Sequence, residues 1–327
     1  MRIYAFEVRN DELNDLNNLA ITYPVTIEYT KDLLTLENVH LAKGFDGISI
    51  LGQSQLNKEL IDAIKDNDIN YISTRTIGYD HIDVSYAKEC GIKICNANYE
   101  PTAVADFTMM LILMSLRKYK MALWRGQVND YSLEGLQGRE VKDLTIGIMG
   151  TGRIGYTVLK YLSSFGCKLL AYDVYENDKV KEIASYVDLD TLYKECDVIS
   201  LHMPLLESTY YIINHDSIAK MKDGVILINC ARGELMNSEA LIDNIESQKI
   251  GALAMDCMEK ENGIYHCDRR NDIIANREMA YLRQFPNVIM TQHMAFYTDA
   301  AVTSMVTCGI EGLYKMYTRG TYVTLIT

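Results

Sequence analysis

Short apolar runs alternate with amphipathic helical segments along almost the whole chain. Within the first hundred residues the apolar, β-rich runs occupy positions 3–8, 25–29, 47–51, 71–74 and 92–95. Segments with helical periodicity, such as 56–65 and 84–89, lie between them. Strands that alternate with helices are typical of a parallel, doubly wound sheet. Residues 1–99 are therefore predicted to form a first α/β unit.

The same rhythm returns in the second part of the chain. Apolar runs occupy 145–149, 169–172, 198–202, 225–229, 252–255 and 288–291. Six such strands predict two βαβαβ halves, the plan of a dinucleotide-binding fold. A mainly apolar helix is predicted over 102–127, buried on most sides either in the core or in a dimer interface. A last helix is predicted over 300–316, with 319–327 as a tail.

Three glycines stand where the run 145–149 ends and a helical pattern begins. Gly150, Gly152 and Gly155 have the G-x-G-x-x-G spacing, and the helical pattern starts directly after Gly155. The first glycine permits a tight turn, the second lets the backbone approach a pyrophosphate, and the third lets helix and strand pack closely. The backbone N–H groups at the start of this helix can donate hydrogen bonds to phosphate oxygens. We therefore expect Arg153 and Ile154 to contact the cofactor with the glycines.

An acidic residue follows the next apolar run. Asp173 stands about 20 residues beyond the glycines, where a carboxylate can accept hydrogen bonds from the ribose hydroxyls. Val174 and Tyr175 come next, so no arginine follows directly to bind a 2′-phosphate. The pattern indicates a dinucleotide site that takes NAD rather than NADP.

Composition limits the other classes of protein. The 327 residues allow about two domains, and 48% hydrophobic residues supply an ample core. A net charge of −12 without a basic cluster disfavours binding to nucleic acid or to an anionic membrane. No apolar run has transmembrane length. The eight scattered cysteines contain no C-x-x-C pair, which predicts reduced thiols in the cytoplasm rather than a disulfide framework or a metal site.

Polar residues follow the last three predicted strands. Arg232 comes after 225–229, Asp256 after 252–255, and His293 after 288–291. Because ligands bind beyond the carboxyl ends of parallel strands, these side chains should converge beside the nicotinamide. Arginine offers a planar fork to a carboxylate, and an imidazolium can protonate a carbonyl oxygen. The residues alone predict a nicotinamide-dependent oxidoreductase, and they leave Glu259 and Glu261 as alternative partners of the histidine.

Several segments, in the same order along the chain, resemble the D-isomer-specific 2-hydroxyacid dehydrogenases. They cover residues 73–83, 96–101, 150–155, 229–235, 255–261 and 291–297. The resemblance is strongest to the D-lactate dehydrogenase branch, with its vancomycin-resistance and phenyllactate-forming members. It implies a Rossmann NAD-binding domain, residues 100–296, inserted in a flavodoxin-like substrate domain made of 1–99 plus 297–327. It also implies a homodimer that uses the helix at 102–127.

The resemblance further implies a role for each matching residue. His293 would be the general acid and base, Glu261 its partner, and Arg232 the group that binds the substrate carboxylate. The remaining matches fall into two sets, one at the substrate and one at the cofactor. Substrate contacts would come from the amides of Ile77 and Gly78 and from Tyr99 and Tyr297, and cofactor contacts from His202, Pro204, Cys230 and Asp256. The implied reaction is the reversible reduction of a 2-oxo acid by NADH to the D-2-hydroxy acid.

Two positions depart from the family pattern. Gln292 stands where a proline usually precedes the catalytic histidine. Gly52 stands where a bulkier residue is common, which suggests a pocket that accepts phenylpyruvate or branched 2-oxo acids as well as pyruvate.

Two other functions stay open, a non-catalytic NAD-sensing protein of the same fold and a glyoxylate- or glycerate-type reductase. His266 is interpreted as a surface residue.

Overall fold

The computed structural model describes residues 1–327. The chain forms two compact units, Met1–Glu100 with Tyr297–Thr327 (unit 1) and Pro101–Phe296 (unit 2). The strands are β1 Arg2–Ala5, β2 Thr26–Tyr29, β3 Gly47–Ile50, β4 Tyr71–Thr74, β5 Lys93–Cys95, β6 Thr145–Met149, β7 Lys168–Tyr172, β8 Ser185–Tyr186, β9 Val198–Leu201, β10 Val225–Asn229, β11 Ile250–Met255 and β12 Val288–Met290. The helices are α1 Leu13–Thr22, α2 Lys58–Asp66, α3 Val84–Glu89, α4 Thr102–Leu116, α5 Tyr119–Gln127, α6 Arg153–Ser163, α7 Asp178–Lys181, α8 Leu189–Glu195, α9 His215–Ala219, α10 Ser238–Glu246, α11 Arg277–Gln284 and α12 Asp299–Arg319.

Unit 1 is built on a five-stranded parallel sheet. Its strand order is β2-β1-β3-β4-β5, the flavodoxin-like doubly wound order. Separate apolar clusters cover the two faces of this sheet, and one of them contains residues of α12. The C-terminal helix therefore completes the unit that the first hundred residues begin.

Unit 2 is built on a seven-stranded parallel sheet in the order β12-β11-β10-β9-β6-β7-β8. The order reverses direction between β6 and β9, which is the switch point of a Rossmann sheet. Apolar clusters fill both faces, and β9 and β10 are buried along their full length. Burial on both faces explains why these strands read as continuous apolar runs rather than as alternating ones. The prediction of two parallel α/β sheets is confirmed.

The prediction of one long helix over 102–127 is wrong. The structure has α4 and α5, and the break lies at Arg117 and Lys118 because Lys118 adopts a left-handed backbone conformation with φ of 50°. Eight residues of α4 are buried, whereas α5 buries none. The burial that the apolar composition predicted for the whole segment is therefore observed only in α4.

Other differences concern the ends of elements. The sequence predicts six strands in the second part, and the structure adds a seventh, the two-residue β8 at the sheet edge. Helix α6 starts at Arg153 rather than after Gly155, which places Gly155 in its first turn. The predicted tail pairs with β5, because Leu325 bridges to Cys95 and the Ile326 amide donates to the Ile94 carbonyl. No helix of the structure has the length and apolarity needed to cross a membrane.

Candidate functional site

The three glycines after β6 meet three different surroundings. Gly150 has φ of +93°, and a Cβ there would lie 2.6 Å from the backbone of His202. A Cβ at Gly155 would lie 1.9 Å from the carbonyl oxygen of Gly150. At Gly152, by contrast, no atom lies within 4 Å of such a Cβ. Protein packing thus requires the first and third glycines, whereas the second one borders open space.

That open space lies at the N-terminus of α6. No side chain caps this helix, and its first-turn N–H groups have no intrahelical acceptor, which is a favourable environment for a phosphate. A pocket next to it is lined by Thr151, Gly152, Asp173 and residues 175–179. The Asp173 carboxylate accepts from the Thr151 amide at 2.6 Å and from the Tyr175 amide at 3.1 Å. Lys179, which the sequence analysis did not single out, lines the same pocket.

One prediction tests this assignment of the three glycines. Gly152→Ala is expected to fold with unchanged stability and to lose roughly tenfold or more in affinity for NADH, because its Cβ enters only the space that a pyrophosphate needs. Gly155→Ala is expected to lower the free energy of unfolding by about 1–3 kcal/mol, since its Cβ overlaps backbone. Thermal unfolding and NADH fluorescence titration measure the two effects. Equal destabilisation of both variants would contradict the assignment.

His202 lies beside the glycine loop. Burial lowers the pKa of its imidazole to about 4, so that the ring is neutral at physiological pH. Its Nε2 contacts the Ser200 hydroxyl at 2.9 Å, and its buried Nδ1 has no protein partner. Pro204, two residues on, is exposed. A neutral, half-buried imidazole fits the wall of a cofactor site and does not fit a general acid.

The ends of β10, β11 and β12 bring the remaining candidates to one edge of the sheet. Asn229 is in register with Met255, and Met255 with Met290, so the residues after these strands start at the same level. Arg232, Asp256 and His293 all follow within three positions. The Arg232 charge acts on the Cys257 thiol, and the Cys257 Sγ lies within 4.8 Å of ligand atoms of Glu261 and His293. The structure therefore brings Cys257, Glu261 and His293 together beyond this sheet edge, and Arg232 follows the neighbouring strand.

The His293 imidazole pairs with the Glu261 carboxylate. Nδ1 lies 2.5 Å from Oε1, and the other carboxylate oxygen accepts from the Met258 amide at 2.7 Å. The side chains are 29% and 21% exposed, respectively. Because Nδ1 is engaged, Nε2 is the nitrogen left to act on a ligand. The carboxylate fixes the orientation of the ring.

The alternative carboxylate, Glu259, has another role. It is buried, accepts from the Ser238 amide at 2.8 Å, and also accepts from the hydroxyls of Ser238 and Tyr211. Its oxygens therefore tie β11 to the start of α10. Of the two glutamates that the residues left open, only Glu261 contacts His293.

The backbone of His293 is held in an unusual conformation. Its φ of +50° lies in the left-handed region, which is costly for a residue with a side chain. Its amide donates to the Asp256 carbonyl at 2.7 Å, and its carbonyl lies 3.0 Å from Nε2 of His266. His266, interpreted from the sequence as a surface residue, is exposed but contacts this loop. No sequence signal predicts the contact, because it joins positions 27 residues apart.

Asp256 supports the same loop. Its buried carboxylate accepts from the Thr291 hydroxyl at 2.6 Å, from the Met294 amide at 2.9 Å and from the Ala295 amide at 2.8 Å. The resemblance implies a cofactor contact for this residue. In the structure its carboxylate holds residues 291–295. These bonds define the loop even though Gln292 replaces the usual proline.

Arg232 and Cys230 both follow β10. The Arg232 guanidinium donates to the Ala231 carbonyl at 2.8 Å, and its own carbonyl accepts from the Asn229 side chain at 2.7 Å. The arginine is half-buried. Burial raises the pKa of the Cys230 thiol to about 12, so that this residue stays a neutral thiol. Asn229 therefore stabilises this turn, and the cationic side chain that the turn carries is Arg232.

Unit 1 contains the other predicted substrate contacts. The loop after β4 is braced because the Thr76 hydroxyl donates to the Gly78 carbonyl at 2.6 Å and the Asn96 amide group donates to the Ile77 carbonyl at 2.8 Å. The backbone N–H groups of Ile77 and Gly78 donate to no protein acceptor. Two amides on a braced loop are suitable donors for an anion.

The aromatic candidates of unit 1 differ in exposure. Tyr99 is buried, whereas Tyr297 is 48% exposed. The guanidinium of Arg9 lies over the Tyr297 ring, 5.3 Å from its centroid, and Asp11 forms a side-chain hydrogen bond with the Tyr297 hydroxyl. Within unit 1, the ion pair of Arg9 and Asp11 therefore holds Tyr297 in place. The sequence did not predict this contact.

Gly52 has a close neighbour and a supported backbone. A Cβ there would lie 3.1 Å from the methyl group of Thr76, so that part of the space expected to be open is filled. The buried Glu7 carboxylate accepts from the amides of Gln53 and Ser54, at 2.9 and 3.2 Å. Glu7 was not predicted, and a carboxylate inside the apolar run 3–8 is the only signal that could have indicated it.

The loop of Gly150, Gly152 and Gly155, here called the glycine cradle, lies at the switch point of a Rossmann sheet. A His–Glu pair and an arginine lie beyond the same sheet edge. Together these features define a nicotinamide-dinucleotide-dependent dehydrogenase. The family model described as "D-isomer specific 2-hydroxyacid dehydrogenase, NAD binding domain" matches residues 109–295, more than half of the chain. The chain belongs to this family, its cofactor is NAD, and the resemblance read from its motifs is confirmed.

Individual relatives agree over the full length. An aromatic 2-oxoacid reductase of Clostridium sporogenes is 45% identical over 323 residues, which cover 98% of each chain. A D-lactate dehydrogenase of Lactobacillus delbrueckii subsp. bulgaricus is 39% identical over 308 residues, 93% of this chain and 92% of that one. The solved structure of a D-2-hydroxyisocaproate dehydrogenase superposes with a TM-score of 0.90 at 32% identity and covers 100% of both chains.

Proposed function

We propose that this NAD-dependent dehydrogenase reduces aromatic and other bulky 2-oxo acids, as well as pyruvate, to D-2-hydroxy acids. The observation that carries the catalytic assignment is the His293–Glu261 pair beyond the carboxyl ends of the Rossmann strands. The relative named as an aromatic 2-oxoacid reductase supports the substrate class.

His293 is the proposed general acid for reduction and the general base for oxidation. Glu261 holds Nδ1, so that Nε2 gives its proton to the substrate oxygen and recovers it in the reverse direction. When NADH is bound, it supplies the hydride that reaches the carbonyl carbon. The left-handed backbone at His293, held by the Asp256 carbonyl, orients the imidazole before the substrate arrives.

Arg232 is the proposed anchor of the substrate carboxylate. A guanidinium binds a carboxylate through two parallel N–H donors and also polarises an adjacent carbonyl. We propose the amides of Ile77 and Gly78 as donors to an anionic group of the substrate, and Tyr99 and Tyr297 as contacts of its side chain. The braces from Thr76 and Asn96 support the two amides.

The cofactor residues follow from the glycine cradle. Gly152 borders the space for the pyrophosphate, and the first turn of α6, at Arg153 and Ile154, supplies N–H donors. Asp173 is the proposed ribose acceptor. His202, Pro204 and Cys230 are proposed to border the cofactor, the first of them through a neutral ring.

The experiment that tests this function compares NADH oxidation with pyruvate and with phenylpyruvate at equal concentrations, using NADPH as the control cofactor. A higher kcat/KM for phenylpyruvate supports an aromatic 2-oxoacid reductase. A clear preference for pyruvate would replace that conclusion with D-lactate dehydrogenase activity. Binding of NADH without turnover of any 2-oxo acid, glyoxylate included, would favour an NAD-sensing protein.

Gly52 tests the part of the proposal that concerns the side-chain pocket. Gly52→Tyr, combined with Thr76→Ser to remove the methyl group 3.1 Å from the new Cβ, is expected to lower the ratio of kcat/KM for phenylpyruvate over pyruvate about tenfold or more. The reason is that the added ring occupies the volume that an aromatic substrate needs. Thr76→Ser alone is the control. An unchanged ratio in the double variant would remove Gly52 from the pocket.

We also propose a homodimer that uses helix α5 and the loop after it. This surface, the α5 face, exposes Leu123, Trp124, Val128, Tyr131 and Leu133. Adjacent apolar residues on a protein surface mark an interaction site more often than single ones do. Because all eight cysteines are free thiols, we propose that the dimer resides in the reducing cytoplasm.

Trp124, which is 64% exposed, tests the dimer. Trp124→Glu is expected to weaken association by about 2 kcal/mol or more, roughly 30-fold in Kd, because a buried interface tryptophan is replaced by a charge. Light scattering coupled to size-exclusion chromatography measures the mass across a dilution series. Ile273→Glu, at a position that is 93% exposed elsewhere in unit 2, is the control. A Trp124→Glu variant that stays dimeric at all concentrations would exclude the α5 face.

A further inference from the structure

Three side chains with metal-binding chemistry converge at the catalytic pair. Sγ of Cys257 and ligand atoms of Glu261 and His293 all lie within 4.8 Å of one another. Thiolate, imidazole and carboxylate are the ligand types that Zn²⁺ takes from proteins. The proposed reaction uses Glu261 and His293 but has no role for Cys257. The thiol is thus the part of this cluster that is not yet accounted for.

The protein holds the three donors in place from several sides. The Cys257 thiol is fully enclosed and donates to the Ala231 carbonyl at 3.2 Å. Four residues further on, Glu261 is turned back over it because its carboxylate accepts from the Met258 amide. The position of His293 is set independently by its amide bond to the Asp256 carbonyl. Two separate loops therefore present donors to one point.

Access and geometry suit a small cation. Glu261 and His293 are partly exposed, so an ion can enter from their side and reach the buried sulfur. In a tetrahedral zinc site with bonds of about 2.0–2.3 Å, neighbouring ligand atoms lie roughly 3.3–3.8 Å apart. The His–Glu contact of 2.5 Å would widen, and the sulfur would approach by a small side-chain rotation. Both adjustments are local to this cluster.

We propose that Cys257, Glu261 and His293 form a site for Zn²⁺ or a similar soft divalent cation, and that its occupation inhibits the enzyme. Binding forms bonds from the metal to Sγ, to Nδ1 and to a carboxylate oxygen. The step starts from the imidazolium form that acts as the acid: the ring loses its Nδ1 proton, Cys257 loses its thiol proton, and both protons leave to solvent. The metal-bound imidazole is then neutral, and its remaining Nε2–H is too weakly acidic to protonate a substrate. No electron is transferred, and removal of the metal by a chelator reverses the step.

The inhibition rests on the proposed function, whereas the binding of the metal does not. The experiment therefore measures both on the intact protein, starting from chelator-treated enzyme. Zn²⁺, Cd²⁺ and Mg²⁺ are added separately, and NADH oxidation is followed together with the ultraviolet charge-transfer band of a Cd²⁺–thiolate bond. We expect Zn²⁺ and Cd²⁺ to inhibit and EDTA to restore activity, while Mg²⁺, which prefers oxygen ligands, has no effect.

Two variants test whether Cys257 supplies the sulfur ligand. Cys257→Ala is expected to need roughly tenfold or more Zn²⁺ for the same fractional inhibition, relative to its own metal-free rate, and to lose the Cd²⁺ band. Cys267→Ser removes an exposed thiol in the same segment and is expected to keep both properties. Equal zinc sensitivity of Cys257→Ala and the unmodified chain would overturn the proposal. So would a Cd²⁺ band that disappears in Cys267→Ser instead. An inactive metal-free enzyme that still shows the Cys257-dependent band would count against the function and not against the site.

Discussion

Replacement of His293 by glutamine is expected to lower kcat by about 10²–10⁴, in both directions of the reaction. A glutamine side chain still donates and accepts hydrogen bonds, but it cannot release or take up a proton. The glycine cradle and α6 are untouched, so the affinity for NADH should stay within about twofold of its original value. This combination distinguishes the loss of an acid from the loss of a binding site.

Steady-state kinetics with a 2-oxo acid and with the matching hydroxy acid measure the two directions. NADH fluorescence titration and thermal unfolding show that the variant is folded and binds cofactor. His215→Gln, at an exposed histidine that starts α9, is the matched control and should be fully active. If His293→Gln keeps more than about a tenth of kcat, another group supplies the proton.

Replacement of Arg232 by lysine is expected to lower kcat/KM for a 2-oxo acid by about 10²-fold, mostly through a higher KM. Lysine keeps the positive charge but presents a point charge rather than a planar fork, so the two parallel bonds to the carboxylate are lost. The part of the loss that appears in kcat reports how far the arginine also polarises the carbonyl. The KM for NADH should not change.

A substrate without the carboxylate checks the reason for that effect. An aromatic 2-oxo aldehyde or amide should be reduced slowly by the unmodified enzyme and about equally slowly by Arg232→Lys. Arg139→Lys, at an arginine whose partner is Asp197 before β9, is the control for a general effect of the exchange. An Arg232→Lys variant with an unchanged KM for the acid would show that the carboxylate is bound elsewhere.

The parts of the fold that the sequence predicted depend on local patterns. Strand β10 is bounded in the structure at the residues that the sequence indicated, because a short apolar run ending in Asn229 is flanked by turn residues on both sides. The glycine spacing predicted a dinucleotide loop from equally local requirements, since Gly150 and Gly155 lie close to backbone atoms and Gly152 leaves space for a ligand. The break between α4 and α5 was missed, because Lys118 is not a residue that normally adopts a left-handed conformation.

The candidate site was predicted in its residue types and not in all of its contacts. The choice between Glu259 and Glu261 could not be made from spacing, because both follow β11 by a few positions. The structure separates them by a turn at Glu259 and Lys260, so that the Glu261 carboxylate contacts His293 and the Glu259 carboxylate contacts Ser238. Glu7 and His266 escaped prediction because their bonds reach positions 46 and 27 residues away.

The sequence by itself determined the class of fold, the cofactor loop and the residue types that carry the proposed chemistry. These follow from periodicity and from short-range backbone requirements, which act within a few residues of one another. The spacing left open which carboxylate meets His293; the motif resemblance implied Glu261, and the structure shows that contact. The tertiary structure alone decided how Asp256 holds the histidine loop and that a buried thiol at Cys257 shares the cluster. Such contacts depend on where the ends of separate strands meet, and strand register is set by the packing of the whole sheet rather than by any one segment.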